Sequence, residues 1–127
     1  LIREKRIVRP WFGVEGYNLN EDLADALNLP VKTGILVARV MRGSSADGAG
    51  IQGASEIAVL YNRRFLIGGD IITEIEGKPV ASLEELRLML ESKRPGNTVN
   101  ITLYRGRSKI QKSVPLVEAP RQRALSF

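Results

Sequence analysis

The chain of 127 residues is 43% hydrophobic and 26% charged, a balance that fits one globular domain able to bury roughly two thirds of its unfolded surface. It has no cysteine and no histidine, which excludes a disulfide, a thiolate nucleophile, an imidazole base and any Cys- or His-ligated metal, so a Ser-His-Asp hydrolase is not carried by this chain alone. Apolar runs extend only a few residues, far short of the roughly 18 that cross a bilayer, and 19 basic against 14 acidic residues leave a net charge of +5.

Residues 1–8 read as a linker, residues 9–117 as the domain and residues 118–127 as a tail. Trp11 to Tyr17 forms a short extended segment around Gly13 and Gly16. Asn20 then caps a short helix with early acids, in which Leu23 and Leu27 share a face and which closes before Pro30. Gly34 to Val40 is an apolar strand, and the small residues from Ser44 to Gly50 predict a tight turn or one helical turn. Glu56 to Tyr61 and Arg64 to Ile67 flank Asn62-Arg63, which predicts a hairpin.

Gly68 to Pro79 reads as turn, strand and turn, with Ile71, Thr73 and Ile75 on one face. Ser82 and Glu85 have capping-box spacing, and Leu83, Leu86 and Leu90 continue at helical spacing to about Lys93. After Pro95-Gly96, Val99, Ile101 and Leu103 alternate with polar residues; the chain turns at Gly106 and returns through Ile110, Val114 and Leu116. The order predicts an α+β domain: a small, partly open antiparallel barrel or sandwich capped by two helices, with an inserted β-hairpin at about 55–67.

Several groups have chemistry to weigh. Lys93, Arg94, Arg105, Arg107, Lys109 and Lys112 form a basic stretch without an acid, which suits a solvated hairpin, an anionic surface or nucleic acid; the aromatics are too few, and the basic residues are not interleaved with them as in a single-strand platform. Glu84 and Glu85 serve a helix N-terminus better than paired acid-base chemistry. Glu74 and Glu76 share a solvent face without a partner cluster, and the glycine pairs lack the setting of a phosphate loop. No metal and no cofactor is expected. Around Gly13, successive N–H groups of Phe12, Gly13 and Val14 make either a nest for an anion or the start of a buried strand.

Arg9-Pro-Trp-Phe-Gly-Val14 resembles the carboxylate-binding loop of a PDZ domain. Gly69-Asp-Ile-Ile-Thr-Glu-Ile-Glu-Gly-Lys-Pro-Val80 resembles that family's Gly-Asp-Ile-Ile strand and turn, and Ser82 to Leu90 its groove helix. The loop at the start and a strand at the end resemble the permuted PDZ domains of bacteria and organelles. Leu1 to Val14 is similar to the junction where an HtrA/Deg trypsin-like serine protease enters its first PDZ, although tail-specific and site-2 proteases also carry such domains. The departure from the pattern is the insertion of Gln52 to Gly68.

This resemblance implies a non-catalytic module of a serine endopeptidase that binds hydrophobic C-termini or extended segments of misfolded proteins by β-strand addition. It implies a carboxylate loop of Arg9, Trp11, Phe12, Gly13 and Val14, and a groove of Glu15, Gly16, Tyr17, Leu83, Arg87 and Leu90, with Leu86 and Met89 toward the core. Phe12, Val14 and Leu90 would line the pocket for the last ligand side chain; as plain core residues, Leu83 and Leu90 would have no such role. Tyr61, Arg63, Arg64 and Phe65 at the tip of the insertion would contact the host protease domain or a neighbouring subunit, or simply be tolerated there. The parent would be trimer-based and reside in the bacterial envelope, in the periplasm, or in an organellar lumen, with no nucleic-acid partner. The alternative is a regulatory scaffold domain that contacts its host instead of substrate. Leu125-Ser126-Phe127 ends in an apolar residue suited to a neighbouring groove.

Overall fold

The computed structural model describes residues 9–120; the expected linker at residues 1–8 and the Phe127 tail lie outside the described residues. Eight strands and three helices follow in order: β1 (Val14–Asn18), α1 (Glu21–Ala26), β2 (Ile35–Val40), α2 (Ser45–Gly48), β3 (Glu56–Leu60), β4 (Arg63–Ile67), β5 (Ile71–Ile75), β6 (Lys78–Pro79), α3 (Leu83–Leu90), β7 (Thr98–Arg105) and β8 (Ser108–Pro115). Strands β1-β2-β5-β7-β8 form one antiparallel sheet, with β6 paired on β5, and β3-β4 form a separate two-stranded sheet. The sheets are open, as the sequence predicts, and the small-residue stretch resolves into the one-turn helix α2 as a third cap.

Local chemistry accounts for the helix starts. Asn20, Ser44 and Ser82 sit in extended backbone, and each side chain accepts the N–H three residues on, from Leu23, Asp47 and Glu85. The Glu85 carboxylate in turn accepts the Ala81 N–H at 2.7 Å, closing the expected capping box one residue early. The α3 face of Leu86 and Leu90 packs with Val99, Ile101 and Leu103 of β7 and Val114 of β8 in the main core, as the alternation of β7 predicts, although Thr102 between them is buried as well.

Three expectations are corrected. The hairpin turns at Tyr61-Asn62, one residue earlier than expected, and both residues have left-handed φ angles of 54° and 61°; this is the geometry that matches the strand twist of a two-residue loop. In β5 the register slips between Ile72 and Glu74. Ile71 therefore joins a second core while Ile72 and Ile75 enter the main one, and Thr73 does not share a buried face with Ile71 and Ile75. Glu76 lies beyond the strand at a φ of 53°, its carboxylate accepting the Asn100 N–H, so it shares no strand face with Glu74.

The insertion does not protrude as a bare tip. Phe65 is only 6% exposed and packs with Leu19, Leu23, Leu36 and Ile71, against which Tyr17, Leu60 and Ile67 also rest. Its ring meets Tyr17 edge-on at 5.2 Å, and Arg63 stacks over it at 5.1 Å. Alternation along the ribbon explains the difference: Ala58 and Phe65 are paired on the inner face, leaving Ile57 and Val59 outside.

The basic stretch is likewise not a uniformly solvated surface. Asp70, 1% exposed, accepts two bonds from Arg105, Nε to Oδ1 at 2.9 Å and Nη2 to Oδ2 at 2.8 Å, and a third from the Gln52 N–H. The hydrogen bonding of Arg105 to Asp70 raises the Arg105 pKa above its ordinary value, outweighing the lowering by burial, and the carboxylate charge adds to the rise. Arg107 donates to the Asn28 carbonyl. Arg105→Met is expected to lower stability by about 2–3 kcal/mol in urea unfolding, because it leaves a buried acid uncompensated, and Arg105→Lys should recover less than half of that, lacking the planar fork. Phe65→Ala should cost about 3–4 kcal/mol, whereas Val59→Thr, on the exposed face, should stay within about 0.5 kcal/mol.

Candidate functional site

The segment before β1 is fixed through its carbonyls. The Trp11 carbonyl accepts from the Ser45 N–H at 3.1 Å and the Ser45 hydroxyl at 2.7 Å, the Phe12 carbonyl from the Ala46 N–H at 3.0 Å, and the Gly13 carbonyl from the Met41 N–H at 2.8 Å. The Ser45 and Ala46 N–H groups used here are ones that a helix start leaves without intrahelical partners. In a trans peptide the carbonyl of one residue and the N–H of the next point in opposite directions, and the described residues contain no cis bond. The N–H groups of Phe12, Gly13 and Val14 are therefore all turned away from their carbonyl partners. The Met41–Gly13 bond also makes Val14 and Val40 a non-hydrogen-bonded pair, which aims the Val14 N–H at the open edge of β1.

Gly13 is required here twice over. Its φ is 81°, and a Cβ on it would lie 2.1 Å from the Ser44 Cβ, so both the left-handed backbone and the close approach of α2 demand glycine. Ser45 carries more than its helix: its oxygen also accepts the Val117 N–H at 2.9 Å, and the Trp11 N–H donates to the Val117 carbonyl at 2.8 Å. Pro10 bridges to Glu118, and the Arg9 carbonyl accepts from Ala119. The loop is thus held between α2 and the segment after β8, while Arg9 itself is exposed.

Strand β1 stands at the end of the sheet, with α3 beside its open edge. The Asn18 Oδ1 accepts the Leu83 N–H at 2.9 Å, tying the far end of β1 to the start of α3. Of the predicted groove residues, Glu15 is exposed, Gly16 and Leu83 are half-buried, and Leu90 is 3% exposed within the main core. Phe12 and Val14 pack in that same core at 0% and 4% exposed, so the three belong to one apolar cluster. Leu86 is buried and Met89 partly buried against it.

Tyr17 falls outside the groove as a side chain. It turns to the second core, where its hydroxyl accepts the Leu66 N–H at 2.9 Å, leaving only its backbone at the strand edge. Arg87 is flanked on α3 by Glu84, to which it donates, and by Glu91 at 3.2 Å. Tyr61, Arg63 and Arg64 are exposed on the hairpin, whereas Phe65 is buried beneath the Arg63 guanidinium. A shallow cavity of about 140 Å³ between α3 and the β5–β6 turn, lined by Ile75, Glu76, Lys78, Met89, Ser92 and Lys93, involves none of the predicted groove residues. Sequence reading missed Ser45 and Asn18; both bonds cross distances in sequence of 34 and 65 residues and leave no local pattern.

Residues 12–116 match the model of the PDZ domain. The chain belongs to the PDZ domain family. Among curated proteins, this PDZ domain is 33% identical over 116 residues to the periplasmic pH-dependent serine endoprotease DegQ of Escherichia coli, covering 91% of the chain and 22% of that protein. It is 31% identical over 105 residues to a probable periplasmic serine endoprotease, DegP-like, of Rhizobium meliloti, covering 83% of the chain and 18% of that protein. The chain spans about a fifth of the length of these relatives.

Among solved structures, the HtrA-type protease AlgW with decapeptide superposes with a TM-score of 0.66 at 26% identity, over 89% of this chain and 30% of that one. The HtrA3 PDZ domain bound to the phage-derived ligand FGRWV matches in fold, with a TM-score of 0.67 at 21% identity over 89% of this chain and 90% of that one. Ser45→Ala is expected to cost about 1–2 kcal/mol in thermal or urea unfolding, since it removes a donor to Trp11 and an acceptor for Val117 from a buried position. The backbone bond from Ser45 to Trp11 should keep the loop in place.

Proposed function

We propose that this PDZ domain reads apolar C-termini or extended apolar segments for an HtrA-type serine endoprotease. The observation that carries the reading is the orientation of three successive peptide planes, which turns the N–H groups of Phe12, Gly13 and Val14 away from α2 and the end of β2. Such a run of donors is suited to a carboxylate. The edge of β1 beside it offers main-chain partners to an added strand. Val14, Phe12 and Leu90 supply the apolar floor for the terminal side chain, Leu83 and Arg87 the wall, and Arg9 a nearby positive charge.

The solved relatives support this reading, since AlgW was determined with a decapeptide and with a tripeptide and the HtrA3 PDZ domain with a pentapeptide. The periplasmic relatives support a parent in the bacterial envelope, where an oligomeric, trimer-based protease would use the groove to recruit misfolded proteins or to sense their ends. Chemistry stays with the parent's catalytic domain. A lone groove with one buried side chain and one carboxylate binds on the order of micromolar.

A second role has its own observation. Ile57, Val59 and Tyr61 are 58%, 67% and 68% exposed in one run of the hairpin, with Arg63 and Arg64 after them, a face suited to docking on the host protease domain or a neighbouring subunit. For the groove, fluorescence anisotropy with a peptide ending in an apolar residue should give micromolar binding that amidation of its terminus weakens by at least about tenfold. Equal affinity for the acid and the amide would instead favour the regulatory scaffold reading.

A further inference from the structure

Resting on that peptide reading, we propose that Asn18 is a latch that limits the groove to about four ligand residues, and that longer ligands must break it. The edge offered by β1 runs from Val14 to Asn18. A strand laid against it from the carboxylate loop passes Val14, Glu15, Gly16 and Tyr17 before it reaches the point where Asn18 meets α3. At about 3.3 Å per residue this is about 13 Å of edge. There the Asn18 side chain bonds the Leu83 N–H across the gap between strand and helix, at the level where a fifth ligand residue would enter.

The bond has a structural use of its own, which is why it forms. Ser82 satisfies only the Glu85 N–H in the first turn of α3, and the Leu83 N–H is one of the donors that a helix start leaves open. Asn18, on the opposite side of β1 from the inward-facing Tyr17, fills that place from another element. The bond is exposed, so breaking it costs little in desolvation and water can take over the donor. A short ligand leaves it intact, whereas a long one spends part of the gain from its added residues on opening it.

The experiment is a length series with one C-terminal sequence, of four, six and eight residues, measured on the wild-type domain, Asn18→Ala and Asn18→Asp. In the wild type, affinity should change less than about twofold from four to eight residues. In Asn18→Ala the eight-residue peptide should gain about three- to tenfold, the scale of one hydrogen bond. Asn18→Asp, which keeps the acceptor, should stay flat. Amide exchange adds a readout that a merely stabilising bond would not move: in the wild type the eight-residue peptide should speed exchange at Leu83, and the four-residue one should not. The same length dependence in wild type and Asn18→Ala would overturn the latch while leaving the peptide reading standing. No binding of the four-residue peptide to any of the three would overturn both.

Discussion

The arrangement on which the rest depends is the seizure of three consecutive carbonyls, those of Trp11, Phe12 and Gly13, by Ser45, Ala46 and Met41. Peptide planarity turns the N–H groups of Phe12, Gly13 and Val14 to the opposite side at no further cost. The relation is reciprocal, because the one-turn helix α2 is too short to stand by itself and finds in the loop's carbonyls the partners its first N–H groups lack. Loop and helix are therefore one unit. The Ser45 hydroxyl extends it to Val117, so the segment that enters the domain and the segment that leaves β8 are anchored on the same side chain.

The insertion is accommodated by closing its two ends on each other. The Asp70 N–H donates to the Gln52 carbonyl, the Gln52 N–H to the Asp70 carboxylate, and the Ser55 N–H to the Ile67 carbonyl. A Cβ at Gly69 would lie 2.2 Å from the Val37 carbonyl oxygen, so the returning chain approaches β2 more closely than another residue permits. Arg105 reaches in from β7 to neutralise Asp70 and to bond the Gly50 carbonyl. With its ends held, the hairpin lies back over β2 and α1 and builds a second core around Phe65. The body of the domain beneath it keeps its own core, which is why a long insertion and the family fold coexist.

What the sequence made legible follows the range of the forces involved. Caps at Asn20 and Ser82 act over three residues, and the alternation from Val99 to Leu103 acts over one strand; both are legible locally. The turn at Tyr61-Asn62 was placed one residue late because neither position is glycine, and only the inward demand of Phe65 fixes the register of that ribbon. The same blindness applied to β5, where the slip at Thr73 reflects pairing with β7 and not a property of its own residues. Arg105 looked like a member of a basic surface because its partner, Asp70, stands 35 residues away. Within the candidate site, the glycine and its apolar neighbours were visible, whereas the side chains that hold them, Ser45 and Asn18, belong to other elements.

The two ends of the β1 edge are therefore held by different means, and this difference bears on how the groove responds to load. At the loop end, buried backbone bonds and a glycine whose φ and close contact exclude a side chain hold the donors in place, which on the proposed reading would make them ready for a ligand charge before it arrives. At the other end, one exposed side-chain bond joins the strand to α3, backed by few buried groups. Local openings follow the weakest attachment. On the proposed peptide reading a ligand would meet the more firmly held end first, and any adjustment of α3 would be drawn from its N-terminal end, where Ser82 and Glu85 keep the helix capped even if its link to β1 is given up.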